Sequence, residues 1–149
     1  MTRARMRHKK QTENLVCPCS KQTDACKLTM DPNTANKRLT LSKANRKVTE
    51  VEEKQSYADH PEELDSYCQV LCREVLTGRC YWEHNLSSGS NRVGVYLDRP
   101  AGTLSFYRVS SDTLTHIHTF QCTFNQEDLL PGFDFELRGS GSTVSLCRL

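Results

Sequence analysis

The chain has no run of about 18 apolar residues, so no stretch of it is expected to cross a membrane as a helix. No apolar core follows its basic start, so a secretory signal is not expected either. Catalytic punctuation is missing too: there is no Gly-x-Ser-x-Gly, no His-Glu-x-x-His and no phosphate-cradling glycine loop. Apolar residues make up 36% of the 149 residues and aromatics 7%, which allows only a modest core. Seven glycines and five prolines are too few for a fibrous or low-complexity chain. A soluble, intracellular domain is the expectation, cytoplasmic or, given the basic start, nuclear.

What is present is unevenly distributed. The net charge is +2. Residues 1–10 hold Arg3, Arg5, Arg7, Lys9 and Lys10 and no acid, leaving 15 basic against 18 acidic groups, or −3, for residues 11–149. The basic start could serve nuclear import, nucleic-acid contact or organelle transit. Without interleaved aromatics it reads best as a solvated, disordered tail over residues 1–26. The eight cysteines would suggest a disulfide framework in a secreted chain; in an intracellular one reduced thiols are expected. Asn85-Leu86-Ser87 fits a glycosylation acceptor, which matters only on the secretory route.

From Lys27 onward the chain reads as short strands between turns. Asp31-Pro32-Asn33 is a turn signal, and Asn33 to Asn36 could form one helical turn. Leu39 and Leu41 alternate with polar neighbours, and Lys47 to Val51 resumes extended character, so these make a hairpin. Residues 52–66 are an acidic surface connection. Arg79-Cys-Tyr-Trp-Glu83 has strong strand propensity. Beyond a polar link, Val93, Val95 and Leu97 face one way while Gly94, Tyr96 and Asp98 face the other. Residues 99–102 turn the chain into a strand through Leu104 and Phe106. Thr115 to Phe120 is a further strand, residues 129–133 a turn with apolar anchors, and Thr143 to Cys147 a last strand. No segment holds a helical period, so the class is all-β, most simply an antiparallel sandwich.

The segment Leu28-Thr-Met-Asp-Pro-Asn-Thr-Ala-Asn-Lys-Arg-Leu-Thr-Leu-Ser42 with Arg46-Lys47-Val48 closely resembles the PRY part of PRY–SPRY domains. Asp65-Ser66-Tyr67, Val70-Leu71 and Thr77-Gly-Arg-Cys-Tyr-Trp-Glu83 look like the start of the SPRY part. Arg92-Val-Gly-Val-Tyr-Leu-Asp98 with Gly102-Thr-Leu-Ser-Phe-Tyr107 is similar to its late hairpin. The resemblance covers residues 27–149, with 27–66 as the PRY part and 67–149 as a partial SPRY part. It looks most like fish members: tripartite-motif proteins, NACHT and leucine-rich-repeat receptors, and stonefish-type cytolysins.

The resemblance implies a bent antiparallel β-sandwich that binds a protein or peptide ligand through loops at one end, catalyses nothing, and uses neither cofactor nor metal. A link to innate immunity follows from the same likeness. Its alternatives are the substrate-recognition part of a ubiquitin ligase or a fragment of a pore-forming cytolysin, although this chain shows neither RING spacing nor a lytic domain. Carried over, the binding loops would include Tyr57, Asp59, His60, Glu62 and Glu63, and Arg99, Pro100, Ala101 and Gly102. No nucleic-acid or membrane partner is expected.

One departure is large. After Tyr81-Trp82-Glu83 the family continues through several strands before the Arg-Val-Gly-Val-Tyr-Leu-Asp hairpin, whereas here only residues 84–91 intervene. Roughly sixty residues, about five central strands at the usual spacing, are lacking. Glu50 also stands where many members have Trp, and Glu63-Leu64 where they have Arg-Phe. A sandwich cannot lose its middle without re-pairing edges. The strands left could form a smaller sandwich, self-associate through open edges, or stay partly unfolded. A skipped exon or truncated gene product is favoured over an evolved mini-domain, with weakened binding as the consequence.

Three clusters invite chemistry and are read as ordinary. Cys17, Cys19 and Cys26 lack zinc spacing and a fourth ligand; free thiols are expected. Cys68, Cys72 and Cys80 read as small core or edge residues. His116 and His118 fall on one strand face, where they could chelate, but without a carboxylate in phase they read as polar-face histidines. Tyr81 and Trp82 face opposite ways, so one should be core and the other surface.

Overall fold

The computed structural model describes residues 2–4, 9–11, 24–51, 68–86, 92–111, 113–124, 127–135 and 141–149. The strands are β1 (Thr2–Ala4), β2 (Lys9–Gln11), β3 (Leu39–Ser42), β4 (Lys47–Glu50), β5 (Gln69–Leu71), β6 (Arg79–Leu86), β7 (Arg92–Asp98), β8 (Thr103–Ser110), β9 (Thr113–Gln121), β10 (Gly132–Phe135) and β11 (Thr143–Leu146). A 3-10 turn, Pro32–Thr34, is capped by the Asp31 carboxylate, which accepts the Asn33 N–H at 3.0 Å. Eight strands form one antiparallel sheet in the order β2-β9-β8-β7-β6-β11-β4-β3; β1-β10-β5 form a second, smaller one. The all-β antiparallel expectation holds.

The two sheets close over one core because alternate residues of each strand are apolar. The large sheet contributes Val48, Trp82, Val95, Leu97, Leu104, Val144 and Leu146, and the small sheet Val70, Phe133 and Phe135. Leu28, Met30 and Ala35, beside the 3-10 turn, join them. Each such side chain stabilises by roughly 1.5–3 kcal/mol on burial. The small sheet sits where Pro131-Gly132 suggested only a turn. Phe133 and Phe135 alternate inward beyond that turn, so the segment is a strand.

Between Glu83 and Arg92 the chain continues directly from β6 into β7. Strands β6 and β7 pair from Arg79↔Asp98 to Asn85↔Arg92, leaving 87–91 as their link. On the other edge of β6, β11 pairs with residues 84–86, and Cys147 N–H donates to Glu83 O at 2.9 Å. Nearer its start, Ala25 bridges Tyr81 in parallel: Cys26 N–H donates to Tyr81 O at 2.9 Å and Tyr81 N–H to Asp24 O at 2.7 Å. Both edges of β6 are thus paired along the described residues.

Within the basic start, β1 pairs with β10 and β2 with β9. Three expectations are corrected. Cys26 was expected to be a free thiol but is joined to Cys80 by a disulfide, the Cα atoms 5.6 Å apart; their 54-residue separation gave no spacing signal. Tyr81 and Trp82 are both buried, at 0% and 4% exposure, because the large sheet carries a second apolar cluster on its far face. His116 and His118 do not share a face. A register shift between Phe106 and Tyr107 makes Ile117 an extra residue, so His118 pairs with Phe106 and His116 with Tyr107.

Two local features carry stability consequences. The β3–β4 turn holds Lys43, Ala44 and Asn45 in succession at φ of 53°, 55° and 61°. It is buttressed by Met30 N–H donating to Asn45 O at 2.7 Å. The left-handed region costs an ordinary residue about 1–2 kcal/mol, more than the roughly 0.4–1 kcal/mol that glycine adds to unfolded-chain entropy. Exposed Ala44→Gly should therefore stabilise by about 0.5–1 kcal/mol, seen as a raised denaturant midpoint with an unchanged slope. The second feature is His84, 2% exposed on the core face of β6, edge-on to Phe133, with Nδ1 unpartnered. Burial holds its pKa down at about 4 against an ordinary 6.5. The unfolded chain thus binds the proton more readily, so stability is full above about pH 6.5 and falls as the pH drops toward 4, by about 3 kcal/mol in all. His84→Phe should abolish this loss between pH 6.5 and 5 and match or exceed the parent at pH 7, as read by urea unfolding across that range.

Candidate functional site

The hairpin tip between β7 and β8 gathers four of the residues singled out from the sequence. Asp98 accepts the Ala101 N–H through Oδ1 at 3.0 Å, and Gly102 N–H donates to Arg99 O at 3.1 Å, which closes the turn. Gly102 sits at φ +70°, and a Cβ there would lie 2.7 Å from Cys122 O, so glycine is required. The Arg99 guanidinium donates to Leu76 O at 2.9 Å and to Glu127 O at 3.0 Å, while its N–H donates to Gly78 O. Arg99 thus fastens the tip to two neighbouring segments. Pro100 and Ala101 are exposed at the apex of this rigid turn. The other candidates, Tyr57, Asp59, His60, Glu62 and Glu63, lie outside the described residues.

Sequence reasoning missed a polar–aromatic array on the face of the large sheet away from the main core. Tyr81, Tyr96 and Tyr107 are its buried members, with Leu114 packed against them. Tyr81 OH donates to Glu83 Oε1 at 2.7 Å, and Arg92 Nη1 lies 3.4 Å from Glu83 Oε2. Tyr96 OH donates to Asp24 Oδ2 at 3.3 Å. Ser105 and Thr119 share a hydrogen bond at 2.8 Å, and His116 Nε2 meets the same Thr119 hydroxyl at 2.7 Å. The signal was in the period-2 pattern, since Tyr81, Glu83, Tyr96, Ser105 and Tyr107 all alternate with core residues; polar character on that side made it read as solvent-facing.

This chemistry favours structure over reaction. Burial, with the neighbouring Glu83, pushes the Tyr81 hydroxyl well above its ordinary range, so it stays a donor. Burial likewise pushes the Cys68 and Cys72 thiols up to about 11 and about 12, which keeps them protonated and poorly nucleophilic at neutral pH. Among the described residues no three His, Cys, Asp or Glu side chains group so as to hold a metal ion. No helix of the described residues is long and apolar enough to cross a membrane.

Residues 28–76 match the PRY family, the SPRY-associated domain. The chain belongs to the PRY–SPRY family. Stonustoxin subunit beta of Synanceia horrida is 34% identical over 163 aligned positions, covering 72% of this chain and 23% of the toxin subunit. The E3 ubiquitin-protein ligase TRIM69 of Mus musculus is 31% identical over 156 positions, covering 70% of this chain and 31% of the ligase. The solved TRIM65 PSpry domain superposes with a TM-score of 0.75 at 20% identity, covering 93% of this chain and 100% of that one, a likeness of fold. This PRY–SPRY chain therefore spans about a quarter to a third of the length of these curated relatives. PRY–SPRY domains are generally non-catalytic interaction modules.

The array has a steric keystone. A Cβ on Gly94 would lie 2.5 Å from Tyr81 OH and 3.1 Å from its ring carbon Cζ. Gly94→Ala should therefore overpack the face and destabilise by about 1–3 kcal/mol. Tyr81→Phe removes the clashing oxygen, so the double variant should lose clearly less than the sum of the single losses. A double-mutant cycle by urea unfolding checks this, and additive losses would show that Tyr81 does not fix the space at Gly94.

Proposed function

We propose that this chain is a non-catalytic protein- or peptide-binding module whose recognition surface includes the β7–β8 tip, Arg99 to Gly102. The observation that carries the reading is the construction of that tip. Asp98, Arg99 and Gly102 spend their hydrogen bonds on fixing the turn, which leaves Pro100 and Ala101 displayed on a rigid support. A preformed loop loses little entropy on binding, the usual advantage of a recognition loop on a sheet scaffold. Tyr57, Asp59, His60, Glu62 and Glu63 are proposed as a second recognition stretch. The module would act in the cytoplasm, in innate immunity; the alternatives are the substrate-recognition part of a ubiquitin ligase or part of a pore-forming cytolysin.

The internal gap is part of the same reading. Seventy-two per cent of 149 residues is about 107, so about 56 of the 163 positions aligned with stonustoxin subunit beta have no residue here. That number supports a loss of several strands, and the abrupt β6–β7 junction supports its placement between Glu83 and Arg92. Loops lost with those strands would leave binding weaker than in a full-length domain.

Panning the immobilised full chain with a random linear-peptide phage library tests the proposal. A selected peptide should bind with a Kd in the micromolar range by fluorescence polarisation, and Ala101→Asp should raise that Kd at least tenfold without moving the unfolding midpoint. An unchanged Kd would remove the tip from the recognition surface, and a library yielding no specific binder would overturn the binding role.

A further inference from the structure

Residues 24–30, where the chain enters the PRY part, are held to the sheet in two unlike ways. From Leu28 onward the anchor is the core: Leu28 is 4% exposed and Met30 0%. Asp24 to Cys26 is held differently, through two backbone hydrogen bonds to Tyr81, the Tyr96–Asp24 hydrogen bond and the Cys26–Cys80 disulfide. Ala25 and Lys27 are exposed, so the segment between the tail and the core contributes little apolar burial of its own. Three hydrogen bonds at a strand edge are weak restraints on a chain end, since each replaces a bond to water. The covalent link is the strong one.

The two sulfurs also differ in access. Cys80 is fully buried on the core face of β6, while Cys26 is half-buried. Cys26 is thus the more accessible cysteine of the pair. Reduced Cys80 would remain a small buried group in an intact core, so breaking the bond need not unfold the sandwich.

We propose that the Cys26–Cys80 disulfide is a redox clasp: oxidised, it pins residues 24–26 along the start of β6, and reduced, it releases them and uncovers the strand edge at Tyr81. The reductant is a dithiol. One of its thiolates attacks the Cys26 sulfur, the Cys26–Cys80 bond breaks, and Cys80 leaves as a thiolate that takes a proton. The second thiolate then attacks the mixed disulfide, Cys26 leaves and is protonated, and the reductant departs as its own disulfide with two electrons transferred. Release frees the Tyr81 N–H and C=O, groups of the kind that accept an added strand. The clasp is independent of what the β7–β8 tip binds.

Hydrogen exchange on the full chain, purified without reductant, tests this. A non-reducing digest should contain the linked Cys26 and Cys80 peptides. Dithiothreitol should speed exchange of the Cys26 and Tyr81 amides at least tenfold while the β7 amides of Val95 and Leu97 keep their protection. Cys26→Ser should exchange at the fast rate with or without dithiothreitol. The proposal is overturned if no linked peptide is found, if reduction leaves the Tyr81 amide unchanged, or if Val95 and Leu97 accelerate equally, which would mean general unfolding.

Discussion

Strand β6 is the constraint on which the rest of the sandwich depends. Its two edges and two faces are all in use. β7 pairs along one edge; β11 and residues 24–26 share the other. Trp82 and His84 face the small sheet, where His84 meets Phe133, while Tyr81 and Glu83 face the tyrosine array. A strand buried on both faces cannot slip by one residue without exchanging those sets, so its register fixes the register of its neighbours. The β7–β8 tip inherits its position from this, because Arg79 lies beside Asp98 at 3.3 Å and Arg99 N–H donates to Gly78 O just before β6 begins. The candidate binding surface is thus placed by a strand that contributes no residue to it.

What could be read from the sequence was whatever repeats every second residue. Val93, Val95 and Leu97 with Leu104 and Phe106 announced a central hairpin, and it stands in the middle of the large sheet. The tip was legible too, since Asp98 with Gly102 is turn chemistry with a specific mechanism. Legibility failed where pattern does not determine the outcome. Ile117 is one apolar residue among polar ones, yet as the extra residue of a bulge it sends His116 and His118 to opposite faces. A disulfide between Cys26 and Cys80 depends on which edge of β6 the chain start reaches, a long-range fact that spacing does not encode. Phe133 to Phe135 was hidden by the Pro131-Gly132 turn signal before it.

The face behind the main core shows why alternation alone misleads. Polar residues facing away from a sandwich core are ordinarily solvated, and Tyr81, Glu83 and Ser105 fit that expectation by type. They are nevertheless buried, and each has a hydrogen-bond partner. A buried carboxylate is tolerable only when paired, and Glu83 has both the Tyr81 hydroxyl and the Arg92 guanidinium. Gly94 completes the arrangement by leaving room for the Tyr81 ring. The array therefore behaves as a second, polar-laced core, and its cost of desolvation is offset within the sheet.

Satisfaction is less complete on the main-core side, and the pattern of failure is informative. Trp82 Nε1 and His84 Nδ1 are buried without a hydrogen-bond partner, and so is Glu50 Oε2 on β4. Burial raises the Glu50 carboxyl above its ordinary range, with Arg38 only partly opposing the shift. Each unpartnered buried group costs about 1–3 kcal/mol relative to a paired one. Thr40 Oγ1 on β3 and His118 Nε2 on β9 are likewise buried without a partner, so among the described residues two of the five such groups lie on β6. Such groups weaken folding, because each sets a local residue against its global site. They sit beside a closed backbone ladder, so the cost falls on side chains and not on the strand pairing.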